Sequence, residues 1–291
     1  MIGDKNMEDY RDCQLPISID TDVQLRKEDA FTSVGKIPDK IALYNKHNDD
    51  YLSTVSKQSA NNLRTYGQFC KMLSDGLINA DTNINPETCK VTDQLWQNGA
   101  KFSRIIEIPQ YNFLFRGDKF VLIVWAWTAY NLYWAEQFIF GPLCIKCHNG
   151  MFDALWKIKG LSKKNWNNKS SMKSDDIKNA VVAFEKFPDQ LEVMSKTKVT
   201  PDNVKYLFEN TLARIESELK PRVSEYRMKE LSQHWDTYKS RLGENLYSAY
   251  QTATHWASHP EGRGIAMNKT RNRSGQVAKM LNSTSWSNLI H

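Results

Sequence analysis

Residues 120–135 read FVLIVWAWTAYNLYWA, an uncharged run between Lys119 and Glu136. The run has sixteen residues, fewer than the roughly eighteen that a membrane-spanning helix needs. Aromatic and β-branched side chains dominate it, and such side chains favour strands over helices. Asn131 offers a turn position. The stretch therefore predicts two buried strands joined near residues 129–132.

The flanking segments extend this pattern in both directions. Upstream, KFSRIIEIPQ (residues 101–110) roughly alternates between apolar and polar side chains, and the RGD that follows at 116–118 predicts a loop containing Gly117. Downstream, Gly141 and Pro142 are expected to break the chain before a strand over residues 143–147 and a helix from about Asn149. The sequence thus predicts a β-meander followed by a helix.

Helical patterns lie on both sides of the meander. SANNLRTYGQFCKMLSDGLINAD (residues 59–81) has apolar residues at helical intervals. Ser174 is expected to cap a helix, and Thr200 with Pro201 to begin another that continues to Leu219. Further helices are expected over 223–240 and 243–258. The fold class is therefore α+β, a central antiparallel β-meander sheet with helices before and after it. We expect an N-terminal arm (1–40), an α+β core (41–260) and a basic C-terminal tail (261–291).

The segment CIKCH (residues 144–148) has the spacing of a c-type haem attachment motif. Such haems are attached outside the cytoplasm, whereas the polar N-terminal segment shows no apolar export signal, so we expect a cytoplasmic protein. Zinc would need further cysteines or histidines at ligand spacing, and none accompanies the pair. We interpret Cys144 and Cys147 as buried structural thiols. We therefore expect no metal and no cofactor.

Motifs for catalysis are scarce in the sequence. GxxxxGK[ST], HExxH and GxSxG are all absent. Asp176 and Lys178 have the Asp-x-Lys spacing found in some nucleases, but they lie where a helix is expected to begin, so Asp176 is interpreted as a capping residue. We therefore expect no catalytic residues, and a nuclease that uses Asp176 remains an alternative.

A basic stretch follows the meander. SKKNWNNKSSMK (residues 162–173) contains no acidic residue, and its candidate contacts are Lys163, Lys164, Trp166, Lys169 and Lys173. Lysines can hold phosphates while an indole stacks on a base, so this pattern suits a nucleic-acid contact. The alternative is a solvated loop whose tryptophan packs against the core.

A second basic stretch lies near the C-terminus. GRGIAMNKTRNRSGQVAK (residues 262–279) carries Arg263, Lys269, Arg271, Arg273 and Lys279, and no acidic residue follows Glu261. Its glycine, asparagine and serine content indicates a mobile segment that could become ordered on a polyanion. A solvated tail is the alternative.

Several segments together resemble a phage and plasmid family of unknown function. They are IALYNKHNDDYLSTVSKQ (41–58), NGAKFSRIIEIPQ (98–110), FRGDKF (115–120), CHNGMFDAL (147–155) and ENLYSAYQTATHWASH (244–259). The positions that match the family pattern are Gly117, Asp118, Cys147, Asn149, Gly150, Tyr250, Ala253, Thr254, Trp256 and His259. The order of meander and helix is similar, more distantly, to the single-strand annealing proteins of the Red-beta and Rad type.

The resemblance implies a role in replication, recombination or DNA defence. We therefore expect a non-enzymatic protein that binds single-stranded DNA and promotes annealing without ATP, acting as a homo-oligomer away from membranes. The alternative is a structural or host-interaction protein of a phage, in which the basic segments serve solubility or docking to a partner.

Overall fold

The described part of the chain forms two compact units. The computed structural model describes residues 25–46, 48–80, 83–145, 156–158, 172–215, 221–260 and 266–290. The first unit draws on Met1–Tyr111, Leu122–Phe140 and Lys157–Val181. The second draws on Asn112–Val121, Gly141–Trp156 and Val182–His291. These units do not follow the expected division at residues 40 and 260.

A five-stranded sheet lies at the centre of the sequence. Its strands are β4 (Lys90–Trp96), β5 (Lys101–Phe115), β6 (Asp118–Ala129), β7 (Gln137–Cys144) and β8 (Trp156–Ile158). They are ordered in the sheet as they are in the sequence. Because the connections from β4 to β7 are short, neighbouring strands run antiparallel, as the paired register of β4 and β5 shows. The expected α+β class with an antiparallel meander is confirmed.

The uncharged run forms strand β6. Every β6 side chain except that of Lys119 is buried, so neither face of this strand is solvated. Arg116 and Gly117 have φ angles of 50° and 80° between β5 and β6, and positive φ at both positions is typical of a two-residue hairpin turn. The turn expected near residues 129–132 is confirmed, but the second strand begins later, at Gln137.

Strand β7 departs from the sequence expectation. Gly141 and Pro142 were expected to break the chain, yet both lie buried inside β7. Proline fixes φ at a value that an extended strand can adopt, so it ends a strand only where its missing N–H is needed for pairing. Residues 146–155, where a helix was expected to begin, lie outside the described residues.

A separate three-stranded sheet lies in the first unit. It consists of β1 (Leu25–Thr32), β2 (Gly35–Asn45) and β3 (Tyr51–Ser56), paired antiparallel in that order. Strand β2 runs through residue 40, where the sequence analysis placed the boundary between an arm and a core. Charged side chains occupy much of the exposed face of β1 and β2, which hides the strand pattern from a search for apolar residues.

Two helices precede the five-stranded sheet in the first unit. They are α1 (Lys57–Asn62) and α2 (Tyr66–Ile78). Thr65 caps α2 in a reciprocal arrangement with Gln68, which satisfies two otherwise unpaired N–H groups. The expected apolar face is confirmed, since Tyr66, Phe69 and Leu73 are buried.

The second unit is mainly helical. Its helices are α3 (Ser174–Glu185, which begins in the first unit), α4 (Phe187–Lys196), α5 (Pro201–Asn210), α6 (Glu225–Leu242), α7 (Leu246–Ser258), α8 (Ala266–Leu281) and α9 (Thr284–Ile290). A small hairpin of β9 (Arg214–Ile215) and β10 (Arg222–Val223) precedes α6. Thr200 and Pro201 begin α5 as expected, but the helix ends at Asn210 and not at Leu219.

Helix α7 forms the centre of the second unit. Its nine consecutive residues from Leu246 to Thr254 are all buried, including the polar Gln251 and Thr252. Gln251 donates a hydrogen bond to the Tyr247 hydroxyl at 2.7 Å, and Thr252 donates to the Ser248 carbonyl at 2.9 Å. These two buried polar side chains therefore find their hydrogen-bond partners within the helix. Among the described residues, no helix has the length and apolar character needed to cross a membrane.

A buried ion pair joins β4 to β5. Arg104 binds Asp93 through two hydrogen bonds of 2.7 Å each, and neither side chain is exposed. Asp93→Ala would leave the guanidinium buried without its carboxylate, so we expect a loss of about 3–5 kcal/mol in the free energy of unfolding, measured by urea denaturation.

The same two strands supply the control for this prediction. Lys90 and Glu107 form a more exposed pair at 3.1 Å, and Lys90→Ala is expected to cost less than about 1 kcal/mol. Replacing both buried partners, as Asp93→Leu with Arg104→Met, should cost much less than Asp93→Ala alone. Equal losses of unfolding free energy for Asp93→Ala and Lys90→Ala would contradict the assignment of Arg104 and Asp93 as a buried ion pair that water does not screen.

Candidate nucleic-acid interface

The basic C-terminal stretch is helical from Ala266. The expectation of a mobile segment is therefore wrong for residues 266–290, which form α8 and α9. Ser274, Val277 and Met280 of α8 are buried, and their spacing of three residues places them on one face. Packing of that face against α7 outweighs the glycine and asparagine content that suggested mobility.

Arg273 joins α8 to α6 and α7 inside the second unit. Its Nη2 donates to Glu230 Oε2 at 2.9 Å, its Nη1 donates to the Trp256 carbonyl at 2.8 Å, and its guanidinium lies 4.3 Å from the centre of the Trp256 ring. The side chain is 13% exposed. Arg273 thus makes internal contacts with α6 and α7, and its expected contact with nucleic acid stays a prediction.

Glu230 is the acceptor around which this cluster forms. Its Oε2 also accepts a hydrogen bond of 3.0 Å from the Trp256 indole N–H. Arg227, one turn earlier on α6, donates to the Leu212 carbonyl at 3.2 Å. Burial lowers the pKa of Arg227, nearby Arg273 lowers it further, and Glu230 opposes the shift. Two guanidiniums thus share the neighbourhood of one buried carboxylate.

The other side of α8 is basic and polar. Lys269, Asn272, Gln276 and Lys279 follow at intervals of three and four residues, which is the spacing of one helix face. Asn272 and Lys279 are exposed, whereas Lys269 is partly buried. Burial lowers the pKa of Arg271. Residues 262–291 hold five basic and no acidic residues, so they carry five of the chain's six net positive charges.

The first basic stretch is described only at its end. Lys163, Lys164, Trp166 and Lys169 lie outside the described residues, as does Arg263 of the second stretch. Lys173 is exposed, and its backbone N–H donates to Asp176 Oδ2 at 3.3 Å. Asp176 therefore contributes to the start of α3, as expected, while Ser174 is the first helical residue and not its cap.

The sequence did not predict a stack of three histidine rings on α6 and α7. The ring centres of His234 and His255 are 4.3 Å apart, and those of His255 and His259 are 4.5 Å apart. The Tyr238 hydroxyl shares a hydrogen bond of 2.9 Å with His255 Nδ1. Burial, His234 and His259 lower the pKa of His255 to about 4. His255 is therefore neutral at pH 7.

The histidine stack and the Glu230 cluster lie along one helix face. Arg227, Glu230, His234 and Tyr238 follow one another on α6 at intervals of three, four and four residues, which places them in one row. The four-residue spacing of His255 and His259 was the signal in the sequence that could have indicated a paired site. Their partners on α6 could be found only from the packing of the two helices.

Metal binding has no support in the described ranges. Within them, no group of three or more His, Cys, Asp or Glu side chains is arranged to hold a metal ion. Cys144 is a buried cysteine at the end of β7, while Cys147 and His148 lie outside the described residues. Burial raises the pKa of the Cys89 thiol to about 11, so Cys89 stays protonated at neutral pH.

Comparison with known proteins places most of the chain in one domain family. Residues 89–286, about two thirds of the chain, match the family model described as a domain of unknown function, DUF932. No curated protein and no solved structure matches the chain. The matched range includes β4 to β7, the histidine stack and helix α8.

The lowered pKa of His255 predicts how stability depends on pH. An unfolded histidine binds a proton below about pH 6.5, whereas His255 in the folded protein binds one only near pH 4. Folding is therefore progressively disfavoured as pH falls from about 6.5 to about 4. We expect urea midpoints to fall over this range.

The variant His255→Gln tests the assignment, because it removes the titrating ring and leaves an acceptor for Tyr238. The difference in midpoint between wild type and variant should change between pH 7.5 and pH 4.5, with the wild type losing more. Parallel curves for the two proteins would contradict the assignment to His255.

Proposed function

We propose that this chain, which belongs to the DUF932 family of domains of unknown function, is a phage-type protein that binds single-stranded DNA and promotes annealing without ATP. We place it in the host cytoplasm, as the sequence suggested. Annealing requires that strands be held and aligned, and it needs no nucleophile, metal or nucleotide. The proposal therefore relies on surfaces that bind the phosphates and bases of DNA.

The observation that carries the proposal is the acid-free surface of α8. Its packed face is anchored by Arg273, Ser274 and Val277, so the opposite face is presented from a fixed helix. Lys279 and Asn272 are exposed there, and no carboxylate on α8 or α9 neutralises the lysine. A cation and amides on a rigid helix suit contacts to the sugar-phosphate backbone.

The beginning of α6 adds charge and an aromatic ring to the same unit. Arg222 and Lys229 are exposed, and Tyr226 between them is 58% exposed. Arg227 follows directly and lies close to Arg273 of α8. Cations interleaved with an exposed aromatic side chain are typical of surfaces that bind single strands.

Binding of a fluorescent (dT)20 strand at several salt concentrations tests the proposal. Each phosphate contact contributes about −0.7 to the slope of log affinity against log salt. Lys163→Ala with Lys164→Ala should flatten the slope by about 1.4, and Lys279→Ala by about 0.7. Trp166→Ala should weaken binding by roughly 1–3 kcal/mol with little change in slope, because stacking releases few ions.

Two lysines outside these surfaces supply the matched control. Lys196 and Lys205 are exposed and each faces a glutamate four residues away on its own helix. Lys196→Ala with Lys205→Ala should leave affinity and slope unchanged. Absence of salt-dependent binding to the wild type would contradict the proposal and favour a structural or host-interaction protein. A loss of melting temperature with unchanged affinity in Trp166→Ala would place that ring in the core.

The small sheet of the first unit offers a surface for self-association, which annealing would use to align protomers. Strands β1 and β3 are its edges, and unpaired edges favour pairing between chains. Phe31 is 67% exposed and Val34 is 95% exposed at the turn between β1 and β2. We therefore propose that a second copy of the chain covers this hairpin.

Light scattering with and without (dT)20 tests this assembly. We expect a mass above that of one chain, 33.7 kDa, that rises further when DNA is added. Phe31→Ser with Val34→Ser should lower the mass, because it removes the exposed apolar contacts. The control is Tyr206→Ser, at a side chain on α5 that is 62% exposed. It should leave the mass unchanged. A monomeric mass under all conditions would contradict the annealing role.

A further inference from the structure

The histidine stack ends at the surface of the second unit. His255 lies on the last turn of α7, and His259 follows the helix with its N–H bonded to the His255 carbonyl at 2.9 Å. The two ring planes differ by 30°, and those of His234 and His255 by 44°. His234 and His255 are partly buried, whereas His259 is exposed. The three rings therefore form a column. Its His234 and His255 rings are partly buried in the second unit, and solvent reaches it at His259.

The arrangement of the rings favours stacking over metal binding. Imidazoles that share a metal point their nitrogen atoms at one position about 2 Å away from each. Here the ring centres lie 4.3 Å and 4.5 Å apart, with ring planes that differ by 44° and 30°, and one nitrogen of the middle ring is already hydrogen-bonded to Tyr238. The column is thus an aromatic surface held in place by a hydrogen bond.

The middle ring of the column is uncharged, and two arginines lie near the column. Because the pKa of His255 is about 4, the middle ring carries no charge at pH 7 and does not repel its neighbours. Glu230, one turn before His234, is bound to Arg273. Arg241 lies 5.3 Å from the centre of the Tyr238 ring and 3.4 Å from Asp118. Each of these two guanidiniums is thus paired with a carboxylate, and Arg241 is the more exposed of the two.

We propose that the histidine stack is a platform for a nucleobase, with an unpaired base of single-stranded DNA stacking on His259. This inference rests on the proposed function and names the site that contacts the base. Every base has a π face, so the platform takes any unpaired base, whereas a base inside a duplex has both faces covered by its neighbours. The exposed Arg241 of α6 is the cation beside the stack that holds an adjoining phosphate.

Two probes of equal charge separate base contacts from phosphate contacts. One is (dT)20 and the other is an abasic deoxyribose-phosphate strand of the same length. The wild type should bind (dT)20 more tightly. His259→Ala should weaken binding of (dT)20 by roughly 5- to 150-fold, the range for loss of one stacked base. It should leave the abasic strand and the salt slope unchanged.

Conservative replacement and a distant aromatic residue control this experiment. His259→Phe keeps a ring and should retain most of the affinity for (dT)20. Tyr206→Ala removes an exposed ring from α5 and should change nothing. Melting temperatures of all variants should match that of the wild type, since His259 is exposed.

The outcomes distinguish the inference from the function on which it rests. Equal wild-type affinity for the two strands, or unchanged (dT)20 binding by His259→Ala, overturns the platform and leaves single-strand binding intact. Failure of the wild type to bind either strand overturns both. Loss of (dT)20 affinity in His259→Phe as large as in His259→Ala also overturns the platform, because stacking needs only a ring.

Discussion

The buried carboxylate of Glu230 is the contact on which the helical unit depends. A lone buried charge is unfavourable, but here one oxygen accepts from the Trp256 indole and from Arg273. The three residues lie on α6, α7 and α8, so a single acceptor joins three helices. Removing the carboxylate would leave the guanidinium and the indole N–H without their partner. The basic helix α8 can dock because the inward guanidinium of Arg273 meets this acceptor, while Lys279 is exposed.

The sheet could be predicted in outline because its signal is local. The run from Phe120 to Ala129 has no charge, and a strand buried on both faces needs nothing more than such a run. The Arg116-Gly117 turn and the cap at Thr200 also follow from neighbouring residues. Strands β1 and β2 escaped prediction because their exposed faces carry charged residues. Pro142 was misread because a proline can also lie within a strand, as it does in β7.

The candidate site was less accessible to sequence reasoning than the fold. Composition identified the basic stretch at 262–279, but it could not show which cations are used internally. Arg273 and Lys279 are both basic residues of α8, and their roles differ because Arg273 lies nearer the packed face of the helix. Contacts with residues on α6 and α7 determine which face that is. The histidine stack poses the same problem. His255 and His259 are four residues apart in the sequence, but His234 and Tyr238 join them only when α6 packs on α7.

The two polar clusters of the second unit suit different parts of a nucleic-acid strand. Cations on α8 and at the start of α6 attract phosphates from single and double strands alike, and salt screens that attraction. The face of His259 is useful only for an unpaired base, and stacking depends little on salt. Under the proposed function, the cations therefore supply most of the affinity and the stack supplies the preference for single strands. Because Glu230 and His234 are one turn apart on α6, the same helix holds both the anchor of α8 and the inner ring of the histidine stack.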